Sequence, residues 1–371
     1  MKLSIERADL LRSLNHVQSV VERRNTIPIL ANVLMKADDG MLSLATTDMD
    51  LEINESVAAN VSSSGTTTAP AHTLHDIVRK LPDGADVELE LNAEGTQMTV
   101  RSGRSQFKLS CLPTADFPEI GAGDLPTQLA IPAADLRALI DRTKFAMSTE
   151  ETRYYLNGIY LHEAENEGVA VLRAVATDGH RLARFEMPLP EGASGMPGVI
   201  IPRKAIGELR KLVDEAADAI QITLSESKIR FAFDHIVLTS KLIDGTFPDY
   251  QRVIPEGNDK IVEIDPKVFS SAIDRVSTIS DGKSRAVKIA LNGKQMTLSA
   301  SSAESGSATE EVEVNGDTDI EIGFNAKYLL DITSQIEGEG CRLTLADAAS
   351  PTIIQDNSDP SALYVLMPLR V

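Results

Sequence analysis

The sequence predicts an α+β protein of three similar domains, each with two helices packed on antiparallel sheets. A strand-then-helix signature recurs along the 371 residues at nearly even spacing. After each predicted helix, polar and apolar residues alternate, the period of half-buried antiparallel strands. A chain of this length accommodates two to three domains.

The first signature is LSIERADLLRSL at 3–14. It returns as LAIPAADLRALI at 129–140 and as VEIDPKVFSSAI at 262–273. In each, a short strand runs into a helix with apolar residues at i, i+3 and i+4. Other marks keep the same step. Phe117-Pro118 recurs as Phe247-Pro248, and ATTD at 45–48 as VATD at 175–178. Each copy also divides in two. The second halves open with APAHTLHDIVRKLP at 69–82, VIIPRKAIGELRKLVD at 199–214 and IGFNAKYLLDITSQIE at 322–337. Alternating stretches such as DVELELN, TQMTVRS and SQFKLSCLP follow. The repeating unit is therefore strand, helix and about three strands, six times over. Helices are predicted over 6–24, 72–81, 132–145, 202–213, 265–278 and 325–336. Domains are expected at 1–122, 123–253 and 254–371.

Composition removes several function classes. Hydrophobic residues make up 42% of the chain, enough for ordinary cores, and no apolar run approaches the roughly 18–20 residues of a membrane span. Charges at the start, MKLSIERADLL, occupy the place of a signal peptide's apolar stretch. Cys111 and Cys341 stand far apart without ligand-like neighbours, which argues for reduced, buried thiols in a cytosolic protein rather than disulfides or zinc.

The net charge of −19 argues at first against nucleic acid. Its distribution argues otherwise. The six predicted helices hold 16 Lys and Arg against 10 Asp and Glu, a net +6, which leaves −25 on strands and loops. Acidic strands with basic helices make two electrostatic faces, one attractive to phosphate. Arg23 and Arg24, Arg79 and Lys80, and Arg203 and Lys204 form pairs at helix ends or their approaches. Helix surfaces also carry solvated Lys and Arg for no special reason, so the asymmetry across six helices outweighs any one position. Aromatics are 4% and Trp is absent, a poor supply for stacking single strands. Contact with duplex phosphates, independent of base sequence, fits better.

Catalytic constellations are sparse. Asp178 and His180 in ATDGHRL resemble an acid–base pair, without a G-x-S-x-G elbow. SESK at 225–228 and the SDGK that ends at Lys283 match S-x-x-K by chance, with no companion motifs. P-loop, H-E-x-x-H and G-x-G-x-x-G fingerprints are missing from the sequence. No enzyme activity, metal or cofactor is expected.

Longer motifs then point to one family. RYYLNG at 153–158, ATDGHRLA at 176–183, SKLIDGTFPDYQRV at 240–253 and YVLMPLRV at 364–371 resemble the bacterial sliding clamp, the beta subunit of DNA polymerase III. IPILANVL at 27–34, RSGRSQFKLSCLPTADFP at 101–118 and EIGFNAKYLLD at 321–331 are similar to it as well. The resemblance covers essentially the whole chain. It implies a homodimeric, head-to-tail ring of clamp domains that encircles duplex DNA and serves as the processivity factor of replication. The ring would tether the polymerase III catalytic subunit.

The resemblance also implies sites. A pocket for short peptides of the polymerase, clamp loader and repair proteins falls on Leu156, Thr177, Gly179, His180, Arg181, Leu182, Pro248, Arg252 and Val253. The tail adds Val365, Leu366, Met367, Pro368, Leu369 and Arg370. Apolar walls would anchor side chains, and Arg and His would hold polar parts of the peptide. An apolar tail is equally the mark of a last strand packed in a core, and both readings hold together. DNA contact falls on Arg24, Arg79, Tyr154 and Lys204. The seam between copies would join Arg104, Phe107, Lys108 and Leu109 to Glu310, Glu311 and Glu313, although an acidic edge also serves solubility. The loop STEET at 148–152 departs from the family, because Glu150 and Glu151 repel phosphate. Two other readings are a DNA-binding scaffold without a closed ring and a hydrolase using Asp178 and His180.

Overall fold

The computed structural model describes residues 1–121, 123–280 and 285–370. The domain boundary at 122, the SDGK motif through Lys283 and the terminal Val371 lie outside the described residues.

Among the described residues one unit repeats six times: a strand, a helix and three strands, with one extra strand at Asn60–Ser63. The helices are α1 (Arg7–Gln18), α2 (Ala71–Lys80), α3 (Ala133–Thr143), α4 (Arg203–Val213), α5 (Pro266–Ser277) and α6 (Ala326–Thr333). Five lie within their predicted windows, and α2 begins one residue before its window of 72–81. The prediction of 6–24 overran α1 because Val20 and Val21 continue the apolar spacing; both are buried, but beyond Ser19 rather than in the helix. Some ends are set by local chemistry. Asp265 caps α5 through the amides of Lys267 and Val268, with Pro266 in the first turn. Asn325 caps α6 through the amide of Lys327.

The halves of each domain exchange their opening strands. Lys2–Glu6 pairs with Asp86–Leu91, and Gly65–Pro70 with Asn32–Asp38. Thr127–Pro132 joins Ala219–Leu224, and Val199–Pro202 joins Gly158–Asn166. Lys260–Ile264 joins Cys341–Leu345, and Ile320–Asn325 joins Ala286–Asn292. Every pairing is antiparallel, and the same exchange occurs in all three domains.

The chain divides into two compact units. The first comprises Met1–Arg137, Pro190–Pro197 and Lys204–Leu242. It holds an eight-stranded sheet in which Ile236–Lys241 of the middle domain lies beside Leu51–Ala58 of the first. It also holds a five-stranded sheet ending on Ser105–Ser110. The second unit comprises Ala138–Leu189, Gly198–Arg203 and Ile243–Val371. Its eight-stranded sheet sets Arg181–Pro188 beside Ala362–Leu366, and its four-stranded sheet ends on Gly306–Glu313. The division runs through the middle domain because strand pairing is continuous across each domain boundary.

Burial follows the strand alternation. Leu3, Leu89, Val100, Ile222, Phe231, Leu298 and Leu343 all point inward. Both cysteines are free and buried, and burial pushes the Cys341 thiol up to about 12. The six helices contain 13 Lys and Arg and seven Asp and Glu, again a net +6.

In the first unit, His16 of α1 is held between two carboxylates, 2.7 Å from Glu55 and 2.9 Å from Glu215. Burial pushes its imidazole down, but hydrogen bonds and charge from Glu55 and Glu215 outweigh burial and leave it above the usual value. A group whose pKa is raised on folding contributes fully below its unfolded value, about 6.5, and loses that contribution as pH climbs through the folded value. Raising the pH from about 6 to 9 is therefore expected to lower the urea midpoint of unfolding. His16→Gln should flatten that dependence, and an equal slope in the variant would refute this role for His16.

Candidate functional site

The candidate pocket residues fall in the second unit. Leu156, Leu182 and Val365 share one buried cluster with Val175, Ile200, Phe247, Tyr250 and Leu363. Tyr155, Tyr160, Ile243, Ile254 and Ile353 pack against it, partly exposed. The rim is open. Val253 is 47% and Met367 is 39% exposed, while Gly179, His180, Pro248, Arg252 and Arg370 are exposed.

Local structure explains the motif residues. Strands Val169–Thr177 and Arg181–Pro188 are joined by a turn that Asp178 builds, accepting from the amides of His180 and Arg181. Gly179 closes that turn at φ +87°, where a side chain would meet the Arg153 guanidinium. Gly158 of RYYLNG is glycine for a different reason: a Cβ there would lie 2.2 Å from the Ile201 carbonyl oxygen. Behind the cluster, the ring of Phe247 stacks on Tyr160 and Tyr160 on His162, with centroids 4.8 and 4.5 Å apart.

The tail is both strand and rim. Ala362–Leu366 is buried along its length. Beyond it, the Met367 amide donates to the His180 carbonyl at 2.9 Å and the Leu369 amide to the Gly323 carbonyl at 2.8 Å.

Arg181 is differently employed from the sequence expectation. Its buried guanidinium donates to Asp178, Asp331 and the Phe145 carbonyl, and lies 4.2 Å from the Tyr328 ring centroid. Arg252, by contrast, is 84% exposed and paired with Asp249. The sequence reading missed Tyr155, Val175, Ile200, Ile243, Tyr250, Ile353 and Leu363. Tyr155, Val175, Ile200, Ile243, Phe247 and Tyr250 stand within quoted motifs; Ile353 and Leu363 are ordinary strand residues that only tertiary packing gathers.

Three DNA-contact candidates lie in the first unit. Arg24 is exposed in the segment after α1. Arg79 is 59% exposed in the last turn of α2, with Asp76 at 3.2 Å. Lys204 is bound by Asp48 at 2.5 Å and Glu22 at 3.2 Å; burial lowers its pKa, but these carboxylates outweigh burial and raise it. Tyr154, in the second unit, is 53% exposed beside the Tyr155 ring. In the adjoining loop, Glu150 is 2.7 Å from Arg153, so one of its two acidic charges is compensated internally.

The seam candidates occupy sheet edges. Ser105–Ser110 and Gly306–Glu313 are each the last strand of their sheet and mostly exposed. Phe107 is 37% exposed on the first, beside exposed Arg104 and Lys108, while Leu109 is turned inward. On the second, Glu311 and Glu313 are exposed, and Glu310 is gripped by Arg275 of α5 through bonds of 3.0 and 2.5 Å.

The acid–base reading of Asp178 and His180 finds little geometry. Both Asp178 oxygens are occupied by the turn amides and Arg181, and the His180 ring stacks on Tyr328. Among the described residues no group of three His, Cys, Asp or Glu is placed to hold a metal ion.

Three family models match the chain in order. They are the N-terminal, central and C-terminal domains of the DNA polymerase III beta subunit, over residues 1–121, 130–249 and 251–370. The chain is 54% identical to a beta sliding clamp of Caulobacter vibrioides and 39% identical to that of Escherichia coli strain K12, each covering 100% of both chains. Among solved structures, a Caulobacter crescentus beta sliding clamp with bound PEG superposes with a TM-score of 0.98 at 54% identity, over 100% of this chain and 99% of that one. A Bartonella birtlesii sliding clamp bound to griselimycin gives 0.97 at 50% identity, over 100% of both. With its sixfold strand–helix repeat and full-length likeness, this chain belongs to the DNA polymerase III beta-subunit family, the beta sliding clamps.

Proposed function

We propose that two copies of this chain join head to tail into a closed ring around duplex DNA, a non-catalytic processivity factor that tethers the replicative polymerase in the cytoplasm. Domain boundaries after residues 122 and 253 fit the strand exchange.

One observation carries the ring. Of the six closing strands, four pair within the chain: Ile236–Lys241 with Leu51–Ala58, and Arg181–Pro188 with Ala362–Leu366. The other two, Ser105–Ser110 and Gly306–Glu313, end incomplete sheets of five and four strands. Pairing them between copies completes a sheet like the two eight-stranded ones. It also sets Arg104 and Lys108 against an acidic strand bearing Glu310, Glu311 and Glu313. Such a contact is heterologous and closes when the rotation fits.

Inside the ring, Arg24, Arg79, Tyr154 and Lys204 would meet phosphates. Carboxylates already temper Arg79 and Lys204, which favours weak, mobile contact. Topology, not affinity, then keeps the ring on DNA. The pocket of Leu156, Thr177, Gly179, His180, Arg181, Leu182, Pro248, Arg252, Val253 and residues 365–370 would take a short apolar peptide. Its bearers are the polymerase III catalytic subunit, the clamp loader, other polymerases and repair proteins.

The test loads the protein onto nicked circular DNA with a clamp loader and washes at high salt. Retention on the circle and release on linearisation are expected. Retention on linear DNA with free ends would overturn encirclement.

A further inference from the structure

The repeat makes a prediction about a contact that the single chain does not contain. Each first-half helix carries a basic residue at its tenth position: His16 in α1, Arg142 in α3 and Arg275 in α5. Each second-half helix is followed by an acidic turn, with Asp83 after α2, Glu215 after α4 and Glu337 after α6. Where two closing strands pair within the chain, the basic residue of one half meets the carboxylate of the other. At the join of Ile236–Lys241 with Leu51–Ala58, His16 lies 2.9 Å from Glu215. At the join of Arg181–Pro188 with Ala362–Leu366, Arg142 lies 3.3 Å from Glu337. Both basic residues are close to buried, at 9% and 10% exposure.

The third basic residue and third carboxylate have no such meeting. Among the described residues, Arg275 forms an ion pair only on its own side, to Glu310, as His16 does to Glu55. It remains 60% exposed. Asp83 carries an ion pair to Arg7 and is 96% exposed, leaving acceptor positions on its carboxylate open to a second donor.

We infer that Arg275 of one copy pairs with Asp83 of the next, the third instance of a helix-to-turn clasp that seals every join of closing strands. The inference rests on the head-to-tail ring proposed above and assigns that seam a specific pair. A ring has two seams, each with one such clasp. Reversing one charge sets like charges against each other, which costs association free energy.

The experiment measures the dimer dissociation constant of the full chain by sedimentation on dilution. Asp83→Lys and Arg275→Glu are each expected to weaken the homodimer by about tenfold or more. Mixing the two variants in equal amounts should restore association to within about threefold of the unaltered protein. One seam of that mixed ring regains Arg275 with Asp83, and the other carries the exchanged pair. Restoration by mixing excludes effects confined to one chain, such as loss of the Arg275–Glu310 bond. A mixture no tighter than its weaker parent would overturn the clasp while leaving the ring intact. So would an Asp83→Lys homodimer as tight as the original. If the unaltered protein stays monomeric at tens of micromolar, the ring reading itself fails, and the clasp with it.

Discussion

Removal of residues 367–371 is expected to abolish stimulation of the polymerase while the dimer survives. The cut falls just after Leu366, the last residue of a wholly buried strand, so the eight-stranded sheet of the second unit keeps its members. What disappears is the rim: Met367, 39% exposed, and Leu369, anchored to the Gly323 carbonyl. Anchoring residues at peptide interfaces each contribute about 2 kcal/mol or more, and every 1.4 kcal/mol is tenfold. Losing two apolar anchors should therefore weaken peptide binding by about a hundredfold or more. Primer extension with and without clamp reads the first effect, and sedimentation the second. Surviving stimulation would mean that the pocket lies elsewhere.

The second large effect is on stability. Glu186→Ala is expected to destabilise the second unit by about 3–5 kcal/mol, the usual cost of breaking a buried ion pair. Glu186 is 6% and Arg173 is 4% exposed, and Arg173 donates to Glu186 at 2.8 Å. Arg184 approaches the same carboxylate at 3.0 Å and Asn166 donates to it at 2.9 Å. Without Glu186, two guanidinium groups remain in a poorly solvated site with no carboxylate between them. The damage should reach the candidate pocket, because Arg173 also donates to the Tyr250 hydroxyl at 2.9 Å, and Tyr250 belongs to the buried cluster that holds Leu156, Leu182 and Val365. A urea midpoint implying a loss below about 1 kcal/mol would contradict this account.

Much of the architecture was legible in the residues. Strand alternation and helical spacing are local properties, so the sixfold unit could be read from LSIERADLL, its later copies and the half-copies between them. Helix ends were less legible where apolar residues continue past the helix, as at Val20 and Val21. The candidate site was legible only as motifs. RYYLNG and ATDGHRLA meet around one buried cluster, but their two glycines, Gly158 and Gly179, answer to backbone geometry. Arg181, expected to greet a peptide, is committed to Asp178 and Asp331.

By itself, the sequence determined the repeating unit, the basic helices amid acidic strands and the family likeness, because periodicity and charge are written residue by residue. Tertiary structure alone decided which strands pair. It carried each opening strand into the other half's sheet, joined domains through closing strands and left Ser105–Ser110 and Gly306–Glu313 as edges. It also decided that His16 and Arg142 meet carboxylates far along the chain while Arg275 keeps one side open. Such choices depend on backbone hydrogen bonds and charge neutralisation between residues far apart in the chain, from Ala37 with Gly65 to His16 with Glu215, which no local pattern encodes.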